Sequence, residues 1–304
     1  MSRWAVILGV SSGTGAAIAR AAAAAGWNIF GVHRGSWPHQ AEVLERDIKS
    51  CGVRAVFWQA DATTPDAAQL GASLLRREVG AGCVGLMVHS VAAASVGYLA
   101  IGDDPLAPRQ LQATMDRMAH SFVWWVQALE REGCLSPHGA QLLGLSNLMT
   151  ENVIRGSAAI AASKAALEMY VRHLAVELGP KGHRVNLLKF SMVVTQALHE
   201  TFSPEAVDAL VRTMRRTNPA GRLLTVEEVG KLVVFLATDA ARWFNGATLD
   251  YCGGESLAFF DALIFADKAV APSVSSNAPA APDDHKEEER TLLSGETGMQ
   301  KVRQ

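Results

Sequence analysis

Little in this chain points to metal, disulfide or nucleic-acid chemistry. Four cysteines occur in 304 residues: Cys51, Cys83, Cys134 and Cys252. They lie far apart with no CxxC pair, so neither a zinc site nor a disulfide framework is expected, and a reducing cytoplasm is the simplest setting. Charge of one sign is lacking too. The 28 Lys and Arg stand against 30 Asp and Glu, a formal net charge of −2, which leaves no electrostatic case for a nucleic-acid partner. No apolar run reaches the length of a membrane span, and the strand-like run Trp4–Leu8 begins too early to follow a signal peptide. A soluble protein with no membrane partner is expected. Tyrosine is scarce: only three are present, Tyr98, Tyr170 and Tyr251.

What the chain does have is alternation. Short apolar, β-branched runs at Trp4–Leu8, Asn28–Val32, Val53–Gln59, Val84–Val88, Ala140–Leu145, Arg184–Phe190 and Ala247–Tyr251 are separated by helical stretches, the pattern of parallel βαβ units. Ala16–Ala25 closes on Gly26, and Val226–Ala237 follows Thr225 as N-cap with Glu228 three residues on, the two ends at which helices are recognised. The expected fold is α/β, a single Rossmann-type domain: a doubly wound, seven-stranded parallel sheet with helices on both faces. That domain is assigned to residues 1–268. Residues 269–304 are rich in Pro, Ser, Ala and charge and are expected to be a disordered tail, because such a composition buries too little apolar surface to offset its ordering entropy.

Directly after the first strand stands Gly9-Val-Ser11-Ser12-Gly13-Thr-Gly15, opening a helix where backbone amides and the helix dipole can hold a pyrophosphate. This G-x-x-x-G-x-G spacing resembles that of the short-chain dehydrogenase/reductase family. The second strand ends in Val32-His33-Arg34 without the Asp or Glu that would hold a ribose diol. Arg34 suits a 2′-phosphate, could stack on adenine, or could be a solvated loop residue; NADPH is favoured over NADH. Asp61-Ala62 resembles the family's adenine contact, although an Asp at a strand end can equally cap its own turn. Ser90-Val91 follow the fourth strand. Asn186–Thr195 resembles the sixth-strand motif with Phe190-Ser191 in place of Pro-Gly, and the resemblance implies that Thr195 contacts the nicotinamide and phosphates. Gly221-Arg222, Glu227-Glu228-Val229 and Gly253-Gly254 carry the likeness nearly to the end of the folded region.

The chemistry implied by that family is incomplete. Its ketoreductases use Asn, Ser, Tyr and Lys, the Lys lowering the Tyr pKa and holding the ribose. By spacing, Met118, Asn147 and Ile160 occupy the first three positions and only Lys164 remains. A divergent branch, the enoyl-acyl-carrier-protein reductases, is closer in pattern: it resembles Val88-His89-Ser90-Val91-Ala92, Ser121-Phe122-Val123, and Leu145 through Lys164 without a gap. Its two active-site tyrosines fall on Asn147 and Ser157. Ser157, Ile160 and Lys164 share a helical stripe, so Ser157 or Asn147 could donate a hydrogen bond to a developing enolate, with Lys164 or water supplying protons; the alternative for Ser157 is a plain helix N-cap. His89 is expected to be mainly structural. Tyr98 is expected to pack rather than react.

The segment at about 196–220 corresponds to the family's substrate lid, including an amphipathic helix Glu205–Arg216 whose Val207, Leu210, Val211 and Met214 could line an acyl pocket or bury the lid against the core. Arg212, Arg215 and Arg216 could meet a carrier protein or a phosphate, or could form a solvated face. Helices over Arg109–Leu129 and Ala158–Val176 match the family's dimerisation helices, and Phe122, Trp124 and Trp125 make the first unusually apolar, or simply face the sheet; a homodimer or homotetramer is expected. The functional expectation is an NADPH-dependent reductase of an enoyl or keto thioester, or of a polyketide-like intermediate, with a small-molecule or carrier-bound acyl substrate. Two alternatives stay open: a nucleotide-retaining cyclase or isomerase, and a non-catalytic nucleotide-binding subunit.

Overall fold

A computed structural model of the chain describes residues 3–258 except 202, together with Asp261 and Ile264. Seven strands, β1 (Trp4–Leu8), β2 (Asn28–His33), β3 (Ala55–Gln59), β4 (Val84–His89), β5 (Gln141–Ser146), β6 (Arg184–Phe190) and β7 (Thr248–Tyr251), form one sheet in the order β3-β2-β1-β4-β5-β6-β7. Every neighbouring pair is parallel. The chain winds outward in one direction from β1 to β3 and in the other from β4 to β7. The crevice between the carboxyl ends of β1 and β4 is therefore the switch point at which such sheets bind ligands.

The helices are α1 (Gly13–Ala24), α2 (Pro38–Ser50), α3 (Pro65–Glu78), α4 (Pro108–Met115), α5 (Ser121–Arg131), α6 (Ala158–Leu178), α7 (Gln196–Thr201), α8 (Pro204–Thr217) and α9 (Val226–Leu236). Strand alternation decides which of them each strand residue meets. Ala5 and Ile7 of β1 join Ile18 of α1, Leu44 of α2 and Val233 of α9 on one face. Trp4, Val6 and Leu8 join Leu75 of α3, Trp125 of α5 and Leu167 of α6 on the other. Burial on both faces is what makes these strands nearly continuous apolar runs.

Local signals account for the helix ends. Thr225 Oγ1 accepts from Glu228 N at 3.3 Å and Glu228 Oε2 accepts from Thr225 N at 3.0 Å, the reciprocal cap expected ahead of α9. Arg222 donates to both Glu228 oxygens at 2.9 and 2.6 Å, and these bonds hold that carboxyl down at about 2. α1 starts at Gly13, ahead of the expected Ala16, because the end of the glycine turn is itself helical.

The helix expected over Arg109–Leu129 is present, continuous from Pro108 to Arg131 with one widened turn inside it. One π-helical turn, Asp116–His120, separates α4 from α5. Ser121 Oγ donates to the Arg117 carbonyl at 2.7 Å, the kind of side-chain intrusion that opens a helical ladder. Phe122 and Trp125 fill the core, and Trp124 is half-buried, so two of the three rings considered for a partner face serve the monomer instead. In the lid segment, Val207 and Met214 are buried and Leu210 and Val211 half-buried. The tail, 269–304, and Phe202 lie outside the described residues.

Candidate active site

The glycine turn joins β1 to α1 at the switch point, and two of its residues admit no side chain. Gly9 has φ +84°, and a Cβ there would stand 2.3 Å from the Ser90 carbonyl oxygen; at Gly15 a Cβ would stand 2.0 Å from the Gly9 oxygen. Both distances are impossible contacts, so the turn is tied to the end of β4 and closed upon itself. A Cβ on Gly13 would meet Thr195 Cγ2 at 3.2 Å, which places Thr195 over the opening of α1. Ser11 is buried and Ser12 half-buried. Ser12 is the N-cap residue, yet its side chain makes no capping bond, so the amides of the first turn of α1 are not taken by that hydroxyl and remain suited to an anion. A cradle only glycine can form, at a helix N-terminus, fits the pyrophosphate of a dinucleotide.

Farther along the carboxyl edge, His33 is buried at the end of β2 and Arg34 is exposed just beyond it. Burial lowers the His33 pKa, with Glu45 opposing. Asp61 Oδ1 accepts from Thr63 N at 3.0 Å and from Thr63 Oγ1 at 2.6 Å, so this carboxylate does cap its own turn. The Ala62 carbonyl accepts from Trp125 Nε1 at 2.8 Å, fixing the loop after β3. A cleft of about 320 Å³ opens between Ser12 and Gly13 of the turn, His39 and Gln40 of α2, and Gln196 of α7. Lys164, Ser157 and Asn147 do not line it; it belongs to the nucleotide end.

Lys164 lies on the inner face of α6, 4% exposed, and its Nζ donates to the Leu145 carbonyl at 2.7 Å. Burial lowers its pKa from 10.5 to about 8, since removal from water disfavours the ammonium. Its charge also reaches His89, whose pKa falls to about 3, first through complete burial and then through Lys164. His89 is thus neutral at any physiological pH and is no proton donor to substrate. Its Nε2 is 2.7 Å from Ser121 Oγ. Because the Ser121 proton goes to the Arg117 carbonyl, Nε2 must carry the imidazole hydrogen, and the buried Nδ1 is left an acceptor without a partner. The glycine turn, Ser90, His89 and Lys164 thus form one contiguous constellation.

The other sequence-derived residues are placed as follows. Ser157 occupies the N-cap of α6 without capping it; its Oγ donates to the Ile154 carbonyl at 2.7 Å. Asn147 is half-buried, and its Oδ1 accepts from Met149 N at 3.0 Å. Met118 is buried within the π-helical turn and Ile160 is half-buried. Among the described residues no tyrosine stands in the turns before Lys164.

Sequence reasoning missed a second buried lysine. Lys189 of β6 is 6% exposed; it pairs with Glu151, in the segment after β5, and with Asp250 of β7 at 3.2 Å. Burial alone would lower its pKa, but the hydrogen bonds and charges of those two carboxylates outweigh burial and hold it above its ordinary value. Beside it, Ser191 Oγ donates to Glu255. The available signal was a lysine inside an otherwise apolar strand. These pairs fasten β7 and the segments after β5 and β7 to the carboxyl end of β6.

The profile of the family described as "Enoyl-(Acyl carrier protein) reductase" matches residues 9–256. The chain belongs to the short-chain dehydrogenase/reductase family. Among relatives, 1-cyclohexenylcarbonyl-CoA reductase of Streptomyces collinus is 28% identical over 253 residues, 83% of this chain and 86% of that protein. An NADH enoyl-[acyl-carrier-protein] reductase of Aquifex aeolicus is 29% identical over 175 residues, 57% of this chain and 62% of that protein. A short-chain dehydrogenase of Burkholderia cenocepacia, solved in complex with NADP, superposes with a TM-score of 0.72 at 26% identity, covering 83% of this chain and 97% of that one. In this short-chain dehydrogenase/reductase, the family match runs from the glycine turn after β1 through β7.

Proposed function

We propose that the protein is an NADPH-dependent reductase of enoyl thioesters, acting in the cytoplasm as a homodimer or homotetramer on an acyl group carried by coenzyme A or a carrier protein. One observation carries the reading: a buried, low-pKa Lys164 beside a glycine cradle, with no tyrosine in the helix turns before it. The likeness to reductases of unsaturated thioesters supports that substrate class, and Arg34, with no acid at the end of β2, supports the phosphorylated cofactor. The cofactor's phosphates would lie on Ser11, Ser12 and the first amides of α1 between Gly9 and Gly15, its adenosine near Arg34, Asp61 and Ala62, and its nicotinamide half near Ser90, Val91, Thr195 and Lys164.

When bound, a reduced nicotinamide supplies the hydride that adds to the β-carbon of the substrate. The electron pair of the double bond moves toward the thioester oxygen, and the enolate needs a donor at that oxygen and a proton at the α-carbon. Lys164 can provide both. Its ammonium is a Coulombic partner for the enolate in a water-poor site, and a pKa of about 8 lets it release a proton near neutrality while still holding it at pH 7. Water then restores the lysine proton. Ser157 would wall the acyl group, since its hydroxyl is bonded to Ile154, while Asn147 commits only its oxygen, to Met149 N.

The test is to titrate the purified protein with NADPH and NADH by fluorescence, then follow absorbance loss with crotonyl-CoA, 1-cyclohexenylcarbonyl-CoA and acetoacetyl-CoA. Oxidation with the unsaturated thioesters alone is expected. Tight nucleotide binding with no oxidation by any of them would overturn the redox reading.

A further inference from the structure

Three serine hydroxyls near Lys164 are engaged. Ser157 Oγ donates to Ile154 O, Ser163 Oγ donates to Ala159 O and Ser121 Oγ donates to Arg117 O, each at 2.7 Å. One hydroxyl is not: Ser146, 4% exposed, has its Oγ buried with no hydrogen-bond partner. A buried hydroxyl without a partner carries its desolvation cost uncompensated, and a native chain that retains one invites a functional explanation.

Ser146 is well placed to have one. It ends β5, and strand alternation puts it on the face of Leu142, which packs with α6, rather than the face of Leu143 and Leu145, which packs with α1 and α9. His89 of β4 and Lys189 of β6 fall on that same face, and Ser146 is in register with Lys189. The acceptor of Lys164 is the Leu145 carbonyl, the oxygen of the very peptide unit that leads into Ser146. Lys164 and Ser146 thus converge from helix and strand on one spot. The other orphan there, His89 Nδ1, carries no hydrogen and can only accept. Ser146 Oγ is a buried neutral donor without a partner at this end of β5.

We propose that Ser146 is a catalytic residue: its hydroxyl and the Lys164 ammonium are the two donors that hold the acyl oxygen of the substrate as negative charge builds on it. This rests on the enoyl-thioester reading above. The substrate enters under residues 147–156, every one of which is exposed or half-buried, and its acyl oxygen takes the place of the partner Ser146 lacks.

Steady-state reduction of crotonyl-CoA by the full-length protein tests this with Ser146→Ala, flanked by Ser157→Ala and Asn147→Ala. Ser146→Ala is expected to lower kcat/KM by about a hundredfold, the usual loss for one donor to an oxyanion. NADPH affinity should be unchanged and Tm undiminished, because the variant removes an unpaired buried group. In difference infrared spectra of bound crotonyl-CoA, the downshift of the acyl carbonyl stretch should shrink in Ser146→Ala and persist in Ser157→Ala. Wild-type turnover with a Ser146→Ala rate within twofold would overturn the proposal and leave the enoyl reading standing. Loss of rate together with loss of NADPH affinity and of Tm would make Ser146 structural and also overturn it. A wild type that oxidises no NADPH with crotonyl-CoA or 1-cyclohexenylcarbonyl-CoA overturns both.

Discussion

Raising pH should switch this enzyme off two pH units earlier than an ordinary lysine would allow, and at the same time should stabilise its fold. Lys164 is 4% exposed, and its pKa falls from 10.5 to about 8 through burial. That fall corresponds to a penalty of about 3 kcal/mol on the buried ammonium. As the proton donor, the lysine is about nine-tenths charged at pH 7 and about one-tenth at pH 9. The logarithm of kcat/KM should be level below pH 7 and fall with unit slope above pH 8. Stability takes the opposite sign. The folded-state pKa lies below the unfolded one, so between pH 8 and 10.5 the unfolded chain binds more protons and ΔG of unfolding rises with pH. Lys164→Met removes the buried charge and, after about 1 kcal/mol for the lost bond to Leu145, should gain about 2 kcal/mol at pH 7 while losing turnover. Urea melts of both proteins at pH 7 and 9.5, beside the rate profile, decide the matter. A rate that stays level to pH 10, or a Lys164→Met variant less stable than wild type at pH 7, would refute the reasoning.

Three further outcomes are expected. Gly15→Ala drives a methyl group into the Gly9 oxygen, which a Cβ would approach to 2.0 Å; roughly 1–3 kcal/mol of stability should go, and NADPH affinity should drop at least tenfold by fluorescence titration. Arg34→Glu should weaken NADPH by about 10- to 100-fold, the worth of a charge-assisted bond to phosphate, and leave NADH unaffected; equal losses for both nucleotides would remove Arg34 from the 2′-phosphate. Ile160→Tyr should not confer acetoacetyl-CoA reduction, because Met118 is buried in the π-helical turn and Asn147 is bonded to Met149 N; clear turnover by that variant would show that the tyrosine alone was missing.

The fold was largely legible because its determinants are local or periodic. Strand alternation, the glycine turn and the Thr225–Glu228 cap each follow from neighbours a few residues apart, and each stands where expected. The π-helical turn was not legible, since Asp116–His120 has ordinary helical composition and the widened turn accompanies a single hydroxyl reaching back to Arg117. Lys189 left a faint trace as a charge inside an apolar strand. Its partners, Glu151 and Asp250, left none.

The sequence by itself determined that this is a parallel α/β protein with a glycine cradle at a helix N-terminus, and that Lys164 follows Ile160 by four residues with no tyrosine in the turns between Ser157 and Lys164. Only the tertiary structure decided which polar groups are still free to act. Ser157 and Asn147 were the candidate donors on paper and Ser146 was not singled out, because a hydroxyl or amide is defined chemically by its residue type. Whether its hydrogen is already spent depends on which carbonyl the fold brings within 3 Å. Ser157 donates to the Ile154 carbonyl, Asn147 commits only its oxygen, to Met149 N, and Ser146 is buried without a partner beside the carbonyl that holds Lys164.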